Sequence, residues 1–209
     1  MKQLIGFVGQ SGVGKDTAGG FLVKNHHFVA LAFADALKRS VRDIFNFTDE
    51  QVWGSERNAV DHRYTRDDGQ PLVPRYALQH VGTEGYRHLH PGIWAEVALR
   101  VAKKLLDNNN VYSAAHGPLN GLTVQTPYNG AVITDVRFKN ELKAIRDAGG
   151  SLVLLRRASA IVSSHASEQE LVDVPLSYYD YVIDNRELSL GELEAEVSKM
   201  YYQLRGSNS

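Results

Sequence analysis

Apolar residues along this chain fall into short runs separated by stretches of helical periodicity. Residues 4–8, 28–33, 131–134, 151–155 and 181–183 are such runs, each long enough to cross a sheet once. The stretches between them read as helices. Over 35–45 the apolar residues Leu37, Val41, Ile44 and Phe45 recur at helical spacing. Helices are also predicted over 17–24, 75–88, 137–148 and 189–204, and another, ending near 106, opens at Pro91, a residue suited to a first turn. Thr48 opens a short helix reaching Trp53, and Ser189 caps the final one. The asparagines 108–110 and the pair Gly149 and Gly150 are stop signals.

Strands alternating with helices predict one α/β domain over 1–209: a mostly parallel sheet with helices on both faces. Ligands of such sheets sit beyond the carboxyl ends of the strands. That rule collects residues 9–15, 33–38, 135–137 and 156–157 on one rim. Two regions stand apart. Residues 54–74 are polar, charged and poor in aliphatics, and read as a long mobile excursion. Residues 111–129 carry Gly117 and the Asn-Gly pairs at 120 and 129, and read as a loop or small hairpin.

Composition narrows the chemistry. The 209 residues carry a formal charge of −1, which gives no global basic field for nucleic acid. Cysteine is absent, which excludes disulfides and thiol catalysis and suits a cytoplasmic location. No apolar run has the length of a membrane span, and residues 1–8 are too short for a signal peptide.

The run 4–8 feeds directly into Gly9-x-x-x-x-Gly14-Lys15, a strand entering a phosphate-binding loop. Gly9, Gly12 and Gly14 let the loop curl so that its N–H groups, with those of Ser11 and Val13, converge on an anion. The helix that follows aims its positive end at the same place. Lys15, expected on an exposed part of the loop, would reach the terminal phosphates of ATP or GTP. Loops of this type usually place a hydroxyl after the lysine as a Mg²⁺ ligand; here Asp16 stands there and Thr17 follows. A carboxylate suits Mg²⁺, directly or through water.

The rest of the rim admits two readings at each position. Asp135 ends a strand, as a metal or substrate carboxylate or as a turn and cap residue. Arg137 follows two places on, in the cleft or solvated. Lys38 and Arg42 share a helix face, and either bind an acceptor phosphate or face water. Arg156 and Arg157 stand where a lid would begin, as transition-state cations or as a strand-end charge pair. The histidines lack metal-site spacing; His165, near Glu168, reads as solvated.

Taken in order, G-Q-S-G-V-G-K-D-T at 9–17, F-A-D-A-L-K at 33–38, R-x-x-x-Q-x-x-G-T-E at 75–84, P-G-I-W at 91–94, T-D-V-R-F-K-N-E at 134–141, Arg157, H-A-S-E at 165–168 and the strand end 182–185 resemble the bacteriophage-type deoxynucleoside monophosphate kinases of the P-loop nucleoside monophosphate kinase superfamily. The resemblance spans nearly the whole chain except 54–74 and 111–129. It implies a three-layer P-loop kinase sandwich with an acceptor-binding region over about 34–106 and a lid over about 157–170. It implies Mg²⁺-dependent transfer of the γ-phosphoryl of ATP to a deoxynucleoside monophosphate, in the cytoplasm (of the host, if viral), by a possible homodimer. Residues 9–17 would bind the donor, with Asp16 and Asp135 as metal-side carboxylates. Lys15, Asp135, Arg137 and Arg157 would be catalytic. Lys38, Arg42, Arg75, Gln79, Glu84, Arg87, Trp94, Asp135 and Arg137 would line the acceptor. Two other readings are a P-loop kinase of another phosphorylated acceptor, such as dephospho-coenzyme A, and a nucleotide-dependent switch module.

Overall fold

The computed structural model describes residues 2–157, 171 and 173–207. Its centre is a parallel sheet of β1 (Gln3–Val8), β2 (Phe28–Leu31), β7 (Gly130–Val136), β8 (Ser151–Arg156) and β9 (Tyr181–Asp184), in the order β2-β7-β1-β8-β9. β1 lies between β7 and β8, with Ile5 beside Val132 and Phe7 beside Val153. The continuous apolar runs have their cause here, because both faces of the sheet are covered.

Side-chain alternation divides the core. Ile5, Phe7, Val132, Val153 and Ile183 face Ala18 and Leu22 of α1 (Lys15–His26), and Leu193, Val197 and Met200 of α7 (Leu190–Ser207). Val8, Ala131, Ile133 and Leu152 face the opposite way. They meet α2 (Asp35–Phe45), α5 (Ile93–Asn108) and α6 (Lys139–Asp147) through Leu37, Val41, Ala98, Leu105, Leu142 and Ile145. Each large side chain buried this way contributes about 2 kcal/mol. The three layers are those of a P-loop kinase, and the strand and helix assignments hold to within a few residues.

Four expectations change. Ile44 is 65% exposed, because α2 ends one residue later and Phe45, not Ile44, packs on Phe47 and Tyr64. Region 54–74 is not an unstructured excursion. After α3 (Asp49–Val52) and a 3₁₀ turn at Ser55–Asn58, β3 (Asp61–Thr65) and β4 (Pro71–Leu72) form an antiparallel hairpin. It is fastened by polar bonds, which an aliphatic count does not register: buried Asp61 accepts from Arg63 and from Gln51, and the Tyr64 hydroxyl donates to the Phe45 carbonyl. Residues 75–88 are helical as expected, but the helix changes width along its length. α4 (Pro74–His80) widens into a π-helix at Val81–Arg87, where Trp94 Nε1 donates to the Gly82 carbonyl at 3.2 Å. Apolar spacing alone does not separate the two helix widths. Finally, α6 starts at Lys139 and leaves Arg137 in the strand-end turn.

The region 111–129 contains the hairpin β5 (Asn110–Ser113) and β6 (Gly117–Thr123), as its glycines suggest. The helix before it, α5, ends on Asn109 in the left-handed conformation, with φ 53°.

Candidate active site

β1 delivers its chain end to the loop 9–14, and two glycines fix the course of that loop. Gly9 has φ 149°, and a β-carbon there would lie 2.4 Å from the Leu155 carbonyl oxygen, so β8 can run close beside it only if the side chain is absent. Gly14 caps α1 at φ 98°, with the Asn185 amide below it. Asn185 is buried; its Nδ2 donates to the Val13 carbonyl at 2.9 Å, and its backbone N–H donates to Arg156 at 2.7 Å. The loop is thereby tied to the ends of β8 and β9. Local sequence does not assign Asn185 this role; the Asp-Asn strand end at 184–185 is its one signal.

Lys15 is buried, contrary to expectation. Its Nζ donates to the carbonyls of Gly9 and Gln10, both at 2.7 Å. An ammonium removed from water needs such acceptors, and a curled loop offers them. Asp16 and Thr17 are exposed in the first turn of α1.

Asp135 has a defined duty. Oδ1 accepts from the Phe33 N–H at 2.7 Å and Oδ2 from the Ala34 N–H at 3.3 Å, so the carboxylate holds the entry to α2. Burial pushes its carboxyl above the usual range, and the two amides oppose that rise. Lys38 lies in the same field. Burial lowers its ammonium pKa, while the carboxylates of Asp35, Asp135 and Asp16 act the other way. Lys38, on α2, thus feels the charges of carboxylates on α1 and at the end of β7.

Arg137 is exposed and lines a cleft of about 340 Å³ with Gly9, Gln10, Ser11, Arg156 and Arg157. The apolar side of this cleft is formed by Leu154, Leu155, Leu176 and Tyr179 among others. The lid predicted over 157–170 lies, after Arg157, outside the described residues.

Three predicted acceptor residues have other work. Arg42 donates to Asp43 at 3.0 Å and to Asp49 at 2.9 Å; it shares a helix face with Lys38, but the carboxylate opening α3 captures it. Arg87 donates to Glu141 at 2.8 Å and lies over the Phe138 ring at 3.7 Å. Trp94 is a core residue whose indole supports the π-helix and meets Tyr86 edge-on. Arg75 and Gln79, four apart, occupy an exposed face of α4, and exposed Glu84 has Oε1 3.4 Å from His80 Nε2.

Among the described residues no three His, Cys, Asp or Glu side chains converge on a cation position. Mg²⁺ needs fewer protein ligands, since it keeps waters and takes oxygens from phosphates. The exposed oxygens of Asp16 and Thr17 in the first turn of α1 are donors of the kind it takes.

A protein of Acanthamoeba polyphaga mimivirus, provisionally named a deoxynucleotide monophosphate kinase, is 33% identical over 190 residues, covering 87% of this chain and 88% of its own. The chain belongs to the deoxynucleotide monophosphate kinase family. As a member, this kinase is a nucleotide-binding phosphotransferase of the P-loop type. No family model matches it. Solved structures similar to the kinase include dephospho-CoA kinase from Campylobacter jejuni, at 14% identity over 100% of both chains with TM-score 0.49. Shikimate kinase from Aquifex aeolicus is 12% identical, over 99% of this chain and 98% of its own, with TM-score 0.45. Likeness at these values carries no functional weight; the fold class rests on the phosphate loop and the sheet order. No helix among the described residues is long and apolar enough to cross a membrane.

Proposed function

We propose that the chain transfers the γ-phosphoryl group of ATP to a deoxynucleoside 5′-monophosphate with Mg²⁺. The observation that carries this reading is the cleft in which the loop 9–13 faces Arg137, Arg156 and Arg157. A loop of inward N–H groups suits one phosphate chain, and a second bank of cations suits another anion brought against it. The name of the viral relative supports a deoxynucleotide as the acceptor.

In this reading the loop amides hold the donor phosphates and Lys15 leaves its two carbonyls to meet them. Asp16, with Thr17 and Asp135, would hold Mg²⁺, which supplies neutralising charge to the phosphates. Arg137 and Arg157 stabilise the charge spread over the transferring group. Lys38, Arg75, Gln79 and Glu84 serve the acceptor. No side chain attacks; an acceptor phosphate oxygen displaces the leaving phosphate in line, so the protein contributes position and charge.

A coupled phosphotransfer assay tests this, with ATP against each deoxy- and ribonucleoside monophosphate and dephospho-coenzyme A, with Mg²⁺ and with chelator. Turnover on a deoxynucleoside monophosphate that stops with chelator is expected. Turnover on dephospho-coenzyme A alone, or ATP hydrolysis indifferent to every acceptor, overturns the reading.

A further inference from the structure

The segment 134–141 does more than end a strand and start a helix. Its side chains reach two stretches of the acceptor region that are distant in sequence. Asp135 holds the amides of Phe33 and Ala34 at the entry to α2. The Phe138 ring supports the Arg87 guanidinium, and Asn140 Nδ2 donates to the Pro91 carbonyl at 2.8 Å. Glu141 joins these contacts at their centre. Its Oε2 accepts from the N–H groups of Arg137 at 2.8 Å and Phe138 at 3.1 Å, while Oε1 accepts from Arg87 Nη2 at 2.8 Å. The residue is only 3% exposed.

A helix cap alone does not explain this carboxylate. Capping needs one oxygen and is served by short exposed polar side chains. Here the second oxygen engages a guanidinium 54 residues away, and both ions are withdrawn from water at a cost. Between the tethered stretches stands Arg137, which lines the cleft beside the loop 9–13.

We propose that Glu141 is a positioning residue: one carboxylate grips the backbone of Arg137 and the side chain of Arg87, and so sets the acceptor segment 74–91 and the Arg137 guanidinium in fixed relation. This rests on the acceptor reading above. Displacement of a reacting group by about 1 Å costs on the order of 10²-fold in rate, so loss of the link acts on acceptor turnover while donor binding persists.

The test compares Glu141→Gln, Arg87→Met and the double variant, each assayed below its melting temperature. Arg87→Met keeps the two backbone bonds to Glu141 and cuts only the cross-link, so it serves if Glu141→Gln fails to fold. The expected result is a fall of about 10²-fold in kcat/KM for the acceptor, an ATP KM within about twofold of the parent, and a double variant no worse than the poorer single one. Hydrogen exchange of the free proteins gives a readout independent of turnover: amides of 81–88 should exchange faster in either single variant, and the Arg137 amide, which bonds Glu141 directly, faster in Glu141→Gln. Near-parental acceptor kinetics in both variants with lowered melting temperature, or unchanged exchange over 81–88, overturns the proposal. A parent without turnover on any nucleoside monophosphate overturns the acceptor reading instead, and exchange then decides the link by itself.

Discussion

Lys15 illustrates how a residue can be recognised by motif and still be misplaced by intuition. Its ammonium is held by the carbonyls of Gly9 and Gln10, so phosphate binding exchanges partners for a cation already desolvated. Lys15→Ala should therefore do two things: abolish turnover, by about 10³-fold or more, and lower stability by about 1–2 kcal/mol through the orphaned carbonyls. Steady-state kinetics and denaturant unfolding check both; near-normal turnover would remove the loop from catalysis. Arg137→Lys keeps the charge but loses the two-pronged donor geometry. A large fall in kcat/KM for the acceptor with little change in ATP KM is expected, and the reverse pattern would move Arg137 to the donor side. At this scale the loop residues were legible because local spacing fixes their chemistry. Arg42, Arg87 and Trp94 were not, since each is claimed by a partner distant in sequence or, for Arg42, by a helix end whose approach spacing does not show.

Between elements, the telling contact is the one from β9 to the phosphate loop. Asn185 holds Val13 from below, its Nδ2 donating to the Val13 carbonyl. Asn185→Ala leaves the Val13 carbonyl without this donor, at a cost of about 1–3 kcal/mol. We expect ATP KM to rise about tenfold while acceptor KM stays near the parental value; an unchanged ATP KM would reduce Asn185 to a packing residue. The hairpin β3–β4 carries the same lesson in reverse. Its sequence lacks the apolar alternation that announces strands, and much of the fastening is polar: buried Asp61 pairs with Arg63 and accepts from the Gln51 amide. Patterns of hydrophobicity do not report elements held that way.

Over the whole molecule, two buried carboxylates pull stability in opposite directions with pH. Burial, aided by the Asp135 charge, raises Glu141 from 4.5 to about 7, against the amide and Arg87 that favour its charged form. Its contribution is complete below pH 4.5 and is lost as pH rises to about 7. Asp61 is depressed, chiefly by its bonds to Arg63, so its contribution is present above its ordinary value of 3.8 and is lost as pH falls below it. Between pH 5 and 7.5 the parent should therefore lose stability relative to Glu141→Gln, by a few kcal/mol at most. Chemical denaturation at three pH values checks this; parallel curves would mean that Glu141 ionises normally.

The sequence by itself determined the sheet, the helices that cover it and the phosphate loop. These follow from periodicity and from glycine and lysine spacing, which act over a few residues. It also placed Asp135, Arg137 and Arg157 on one rim, because strand ends in a parallel sheet share one edge. Tertiary structure decided which of those charges are free to meet a ligand. It turned Lys15 inward, tied Arg42 to Asp49, gave Arg87 to Glu141 and made Asp135 the holder of the α2 entry. Which carboxylate meets which guanidinium depends on elements packed together across the fold, and no local pattern encodes that choice.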